Sequence, residues 1–252
     1  MMLSSLWIPL LLTFIAGLST GLGSLISFFV KDFKRSYLHF SMGLSAGVMV
    51  YVSFMELLPR SVEGLGFFHA NMFFFGGVLF IMLIDFLIPH EYIEERLDGD
   101  DAESGLMSVG LFTALGIAIH NFPEGLAVFM SSLSDVSLGV PLAFAIALHN
   151  IPEGIAVAMP IYYATKSRSK AFWYSFFSGV VEPLGAVFGA LLLLPYLTEE
   201  VLYYSLAFVA GVMVFISFDE LLPLSLREDK GHITVLGVYA GMVLMYASLQ
   251  LL

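Results

Sequence analysis

Apolar residues along this chain come in eight blocks of about twenty, each closed by a short polar or charged cluster. That is the length a helix needs to cross the hydrocarbon core of a bilayer at 1.5 Å per residue. The blocks predict spans at 6–30, 37–59, 71–89, 106–130, 138–165, 171–194, 201–223 and 233–251, with an acidic loop at 90–105. They lack the polar face that a helix on a soluble core keeps toward water, so the predicted class is an all-α integral membrane protein forming one transmembrane domain over 1–252. The first block has no basic residue ahead of it, which predicts a retained helix rather than a cleaved signal.

Two internal echoes refine this. AGVMVYVSFMELLP at 46–59 returns as AGVMVFISFDELLP at 210–223, with eleven of fourteen positions identical. HNFPEGLAVF at 120–129 returns as HNIPEGIAVA at 149–158. In both echoes the partners lie on spans that cross in opposite directions, which predicts an inverted repeat of three helices on each side of a central pair. Small residues also recur at helix-packing spacing, at Gly17 and Gly21, Gly43 and Gly47, Gly185 and Gly189, and Gly237 and Gly241. Such pairs let backbones approach within one chain or between two.

Composition agrees with the bilayer: 59% of residues are hydrophobic, 12% are charged, and mean hydropathy is +0.91. The absence of cysteine excludes disulfides, thiolate metal sites and cysteine nucleophiles. Charge sets the orientation. Lys31, Lys34, Arg35, Arg96, Lys166, Arg168, Lys170, Arg227 and Lys230 fall on one side of the alternating loops and only Arg60 on the other, which places both termini outside. The net charge of −11 is concentrated, with seven acids between Glu91 and Glu103. That loop reads either as a solvated linker or as a weak cation receiver on the cytoplasmic side.

The candidate chemistry is the set of polar residues inside the spans. At 100° per residue, Glu124 falls between His120 and Asn121 on one helix face, and Glu153 falls likewise between His149 and Asn150. Pro123 and Pro152 free the carbonyls of Ile119 and Leu148, which is tolerated in a membrane where the helix lines a polar cavity. Glu182 adds a third carboxylate, and no Lys or Arg lies within the fourth, fifth or sixth span to balance them. Protons or incoming cations must do so. Imidazole, carboxylate and amide oxygen together suit zinc and other first-row divalent ions, with each Glu able to bridge a His-rich site and a neighbouring oxygen site.

Other residues carry plainer expectations. His39 reads as a helix-packing hydrogen-bonder and Asp85 as a capping or snorkelled acid. Glu56, Asp219 and Glu220 read as interfacial acids, with an entrance or exit role left open. Met49 and Met213 read as packing residues, with Met49 also considered as a soft ligand.

HNFPEG, HNIPEG and VEPLGA on eight helices with both ends outside resemble the ZIP (Zrt/Irt-like) metal transporters, closest to their bacterial branch. The resemblance covers the whole chain. It implies a carrier importing zinc first, and iron, manganese, cobalt or cadmium besides, into the cytoplasm across the cell membrane. It implies one metal site from His120, Glu124, His149 and Glu153, and a second from Asn121, Glu124, Asn150, Glu153 and Glu182. It further implies a homodimer in which helices one, four, five and six slide against the other four. No permanent cofactor, enzymatic activity or nucleic-acid partner is expected, since the metal is cargo. Many relatives in that family have a His-rich third loop, whereas here it reads HEYIEERLDGDDAES.

Other classes fit less well. A metalloprotease would need a Glu directly after the first His, where both motifs have Asn. A retinal pump would need a lysine inside a span, and a haem carrier would leave three carboxylates unexplained. A passive metal channel could use the same residues and differs only in kinetics.

Overall fold

The computed structural model describes residues 6–29, 35–86, 102–193, 196, 198–226 and 231–251. Helices dominate the described residues: α1 (Trp7–Ser27), α2 (Arg35–Val52, carried on by Ser53–Leu57 and Leu58–Leu65), α3 (Phe67–Phe86) and α4 (Ala102–Ser134). They continue as α5 (Val136–Thr165), α6 (Arg168–Phe188, carried on by Gly189–Leu193), α7 (Glu199–Ile216, carried on by Ser217–Leu221 and Leu222–Leu226) and α8 (Gly231–Leu251). Seven of these are long and apolar enough to cross a membrane, α4 being the remaining long helix among the described residues.

The molecule is arranged for lipid. Trp7, Phe14, Phe67, Phe75, Trp173, Phe177 and Tyr239 point outward, while Thr13, Thr20, Ser24, Asn121, Glu124, Asn150 and Glu182 are buried completely. An exposed apolar surface of that extent around a polar interior is stable in hydrocarbon and not in water.

The helix ends depart from the hydropathy blocks. α2 does not stop at Pro59 but runs to Leu65, and α7 passes Pro223 to reach Leu226. In both, a π-helical turn, Ser53–Leu57 or Ser217–Leu221, lies just ahead of the proline. Leu58 N–H bonds back to the Ser53 carbonyl and Leu222 N–H to the Ser217 carbonyl. The wider turn makes room for a ring that would otherwise strike the carbonyl of the preceding turn. α4 opens at Ala102, so the last residues of the expected 90–105 loop are helical, and the loop's residues up to 101 lie outside the described ones. α3 begins at Phe67, because Gly66 alone, at φ 78°, supplies the reversal from α2.

Short connections use side-chain caps. Asp135, the single residue between α4 and α5, accepts from Ser137 N–H at 2.8 Å, and that bond holds its carboxyl below the usual range. Thr198 caps α7 through Val201 N–H at 3.2 Å.

Packing divides the helices into two sets. α1, α4, α5 and α6 pack extensively on one another; α2 packs chiefly on α8, and α3 on α7. The sets meet along two thinner seams, α2 with α5 and α4 with α7. The α2–α8 contact is a glycine seam. A Cβ on Gly43 or Gly47 would fall 2.3 or 2.1 Å from the Thr234 or Val238 carbonyl, and one on Gly237 or Gly241 would strike the Phe40 or Leu44 carbonyl in return. The predicted small-residue pairs are thus used here within one chain. Gly17 likewise backs onto Gly179, Gly21 onto the Phe176 ring, Gly185 onto Phe122 and Gly189 onto Leu126.

Candidate metal centre

The two HNxPEG motifs sit in mid-helix on α4 and α5, and Glu182 sits on α6; all three helices pass through their prolines without breaking. Asn121, Glu124, His149, Asn150 and Glu182 have no exposed surface, and Glu153 is 1% exposed. His120 lies one residue before Asn121 on α4, and its side chain is outside the described ones.

Both asparagines are oriented by their amide nitrogens. Asn121 Nδ2 donates to the Ser178 carbonyl of α6 at 3.0 Å. Asn150 Nδ2 donates to the Ala16 carbonyl of α1 at 3.0 Å and to Glu182 Oε2 at 2.6 Å. A carbonyl only accepts, so the NH2 end must face it and the amide oxygen is left as the available end. Glu124 reaches across to the neighbouring helix, where its Oε2 stands 3.3 Å from His149 Nε2. Glu153 Oε1 accepts from the Ser45 hydroxyl of α2 at 3.1 Å.

Four buried oxygens then remain without a hydrogen-bond donor among the described residues: Asn121 Oδ1, Asn150 Oδ1, Glu124 Oε1 and Glu182 Oε1. Leaving one such acceptor dry costs on the order of 1–3 kcal/mol, and more when it is charged. Four in one polar layer, all of them acceptors, form an environment for a cation. Among the described side chains, no three His, Asp or Glu are gathered closely enough to hold an ion by themselves.

The glycine of each motif sets the backbone spacing around this layer. A Cβ on Gly125 would lie 1.8 Å from the Glu182 carbonyl oxygen, and one on Gly154 would lie 1.9 Å from that of Thr20. α6 thus approaches α4, and α1 approaches α5, at the residue after each glutamate.

The remaining polar residues divide. His39 is 5% exposed and its Nδ1 stands 2.6 Å from the Ser225 carbonyl, which Thr234 Oγ1 also reaches at 2.8 Å, so it joins α2 to the α7–α8 connection. Met49 and Met213 are fully buried in the apolar core. Glu56 pairs with Arg60 on its own helix, and both line a cavity of about 250 Å³ with Val52, Ser137, Pro141 and Leu142. Asp219 is exposed, while the side chains of Asp85 and Glu220 are outside the described ones. The residue missed from the sequence is Ser45, whose partner is 108 positions away. Its signal was present as a serine preceding one AGVMV echo where the other has Val209.

A protein-family model described as "ZIP Zinc transporter" matches residues 93–248. Among curated proteins, "Zinc transporter ZupT" of Chlorobium phaeovibrioides is 52% identical, covering 99% of this chain and 100% of the relative. The protein of that name from Oceanobacillus iheyensis is 49% identical with the same coverage. That of Campylobacter jejuni is 45% identical over 98% of this chain and 97% of its own.

Proposed function

Since this chain belongs to the ZIP zinc transporter family, we propose that it carries zinc into the cytoplasm through the layer formed by Asn121, Glu124, His149, Asn150, Glu153 and Glu182, with His120 completing it. The chain is a multi-pass integral protein of the cell membrane and a transporter rather than an enzyme. Zinc is its cargo, not a resident cofactor.

The observation that carries the site assignment is the set of four buried oxygens with no donor. Divalent cations entering the layer would supply the positive charge that these acceptors lack. The donors fall into a nitrogen-containing group, His120, His149, Glu124 and Glu153, and an oxygen group, Asn121, Asn150, Glu124, Glu153 and Glu182. Zinc accepts both kinds. Two adjacent ions bridged by the shared carboxylates is the arrangement these groups favour, and the oxygen group would admit manganese, iron, cobalt or cadmium less selectively.

The packing supports a 3+2+3 inverted repeat. If α1, α2, α3 and α5 correspond to α6, α7, α8 and α4, the α2–α8 contact maps onto α7–α3, α1–α5 onto α6–α4, and α2–α5 onto α7–α4. Gly17 and Gly179 each face the other's carbonyl, as residues astride a two-fold axis would. Gly154 against Thr20 and Gly125 against Glu182 are related in the same way. Both termini outside follows from the distribution of Lys and Arg. The family resemblance implies a homodimer; the glycine seams are already engaged within one chain, so its pairing surface lies elsewhere.

The test is uptake of radiolabelled zinc into proteoliposomes, competed by iron, manganese and cadmium. Saturable uptake that weakens toward acid pH is expected, because protons compete with zinc for the carboxylates and imidazoles. Uptake that never saturates would identify a passive channel, and a rate rising on acidification would identify proton-driven symport. His120→Ala is expected to lower zinc uptake more than manganese uptake, because it removes a borderline-soft nitrogen while leaving the oxygens. Equal losses for the two metals would place His120 outside the selective site.

A further inference from the structure

Ser45 stands outside the donor set above, yet it is fully buried and its hydroxyl donates to Glu153 Oε1. The other interhelical bonds described for this layer, from Asn121, His149 and Asn150, stay among α1, α4, α5 and α6. The Ser45 bond comes from α2, in the second helix set, and crosses one of the two thinner seams.

The sequence echo supplies an internal control. Ser45 immediately precedes AGVMV on α2, and Val209 immediately precedes AGVMV on α7. Glu153 and Glu124 are likewise equivalent in the paired motifs. One carboxylate is therefore held by a hydroxyl from the second helix set, where the corresponding position on α7 has only methyl groups. Glu124 meets His149 instead.

We propose that Ser45 is a positioning residue for zinc, holding the Glu153 carboxylate in its ligating orientation and making zinc affinity depend on how α2 sits against α5. This rests on the reading of Glu153 as a zinc ligand. One hydroxyl uses one of about four lone-pair positions on a carboxylate, so the cation and the serine are accommodated together. Because the bond is to a charged group buried among helices, its loss frees the carboxylate to turn and weakens binding rather than merely loosening the fold.

The experiment compares Ser45→Ala, Ser45→Thr and Ser45→Val, the last two nearly equal in shape and differing in the hydroxyl. Zinc binding to the purified full chain is measured by calorimetry, together with KM and kcat for uptake. Ser45→Ala and Ser45→Val are expected to weaken zinc binding about tenfold, as loss of a hydrogen bond to a charged group does, and to act on KM more than on kcat. Ser45→Thr keeps the hydroxyl and is expected to stay near wild type. Equal impairment in the threonine and valine variants would make size the cause and overturn the proposal, as would wild-type binding in the alanine and valine variants. Glu153→Gln separates the two levels. If it leaves zinc binding unchanged, the ligand assignment itself fails, whereas a loss there beside wild-type Ser45→Ala and Ser45→Val overturns only the role of Ser45.

Discussion

Zinc uptake is expected to fall by more than about 100-fold when Glu124 and Glu153 are both replaced by alanine, beyond what loss of an outer-shell partner alone costs a metal site. In the proposed site the two carboxylates belong to both donor groups, so their removal would take ligands from either ion. Folding should survive. Alanine is the best helix former, and both positions lie within continuous helices. No Lys or Arg on α4 is paired with Glu124, and none on α5 with Glu153, so the change strands no buried positive charge there. His149 loses Glu124 and Ser45 loses Glu153, and truncating the two side chains leaves room for water at those polar atoms. Thermal unfolding provides the second readout. Zinc at 100 times its Kd stabilises a one-site protein by about 2.7 kcal/mol, and that increment should be present in the wild type and absent from the variant. Undiminished uptake by a folded variant would remove the assigned layer from the pathway.

The second large effect is expected from a single methyl group. Gly125→Ala places a carbon 1.8 Å from the Glu182 carbonyl oxygen and 2.6 Å from its carbon. The obstacle is backbone, so no rotamer change relieves it. α4 and α6 must separate, and Glu182 moves with α6. In an exposed helix the same substitution stabilises by roughly 1 kcal/mol. Here it should destabilise by about 1–3 kcal/mol or more, as overpacking does, and abolish zinc uptake. Gly154→Ala meets the Thr20 carbonyl at 1.9 Å and should behave alike. Gly76→Ala on α3 is the control: a Cβ there meets nothing within 4 Å, so stability and uptake should be unchanged or slightly improved. If Gly125→Ala and Gly76→Ala proved equally harmless, the close approach of α4 and α6 would be wrong.

Much of this molecule could be read in one dimension. The hydrophobic blocks located the helices, and one echo pointed to polar residues that the structure buries in mid-helix, because hydropathy and helical periodicity are local properties. The helix ends were less legible. Pro59 and Pro223 look like terminators, yet both helices continue, since a π-helical turn absorbs each ring. Of the proposed donors, Asn121, Glu124, His149, Asn150, Glu153 and Glu182 are buried, but their connections were not visible in the sequence. A helical wheel puts Glu124 beside His120 and Asn121, whereas the described contact of Glu124 is with His149 on the next helix.

By itself, the sequence determined that the chain spans a membrane on helices, that it carries carboxylates inside its spans without matching lysines or arginines, and that two of its segments echo one another. Only the tertiary structure decided which helices touch, which end of each asparagine faces the layer, and that Ser45 reaches Glu153 across 108 residues. The physical reason is the solvent. In a bilayer the apolar faces of helices gain little by meeting one another, so pairing is chosen by close backbone approach at glycines and by individual polar bonds. Those depend on the three-dimensional meeting of residues far apart in the chain, and not on any pattern within one helix.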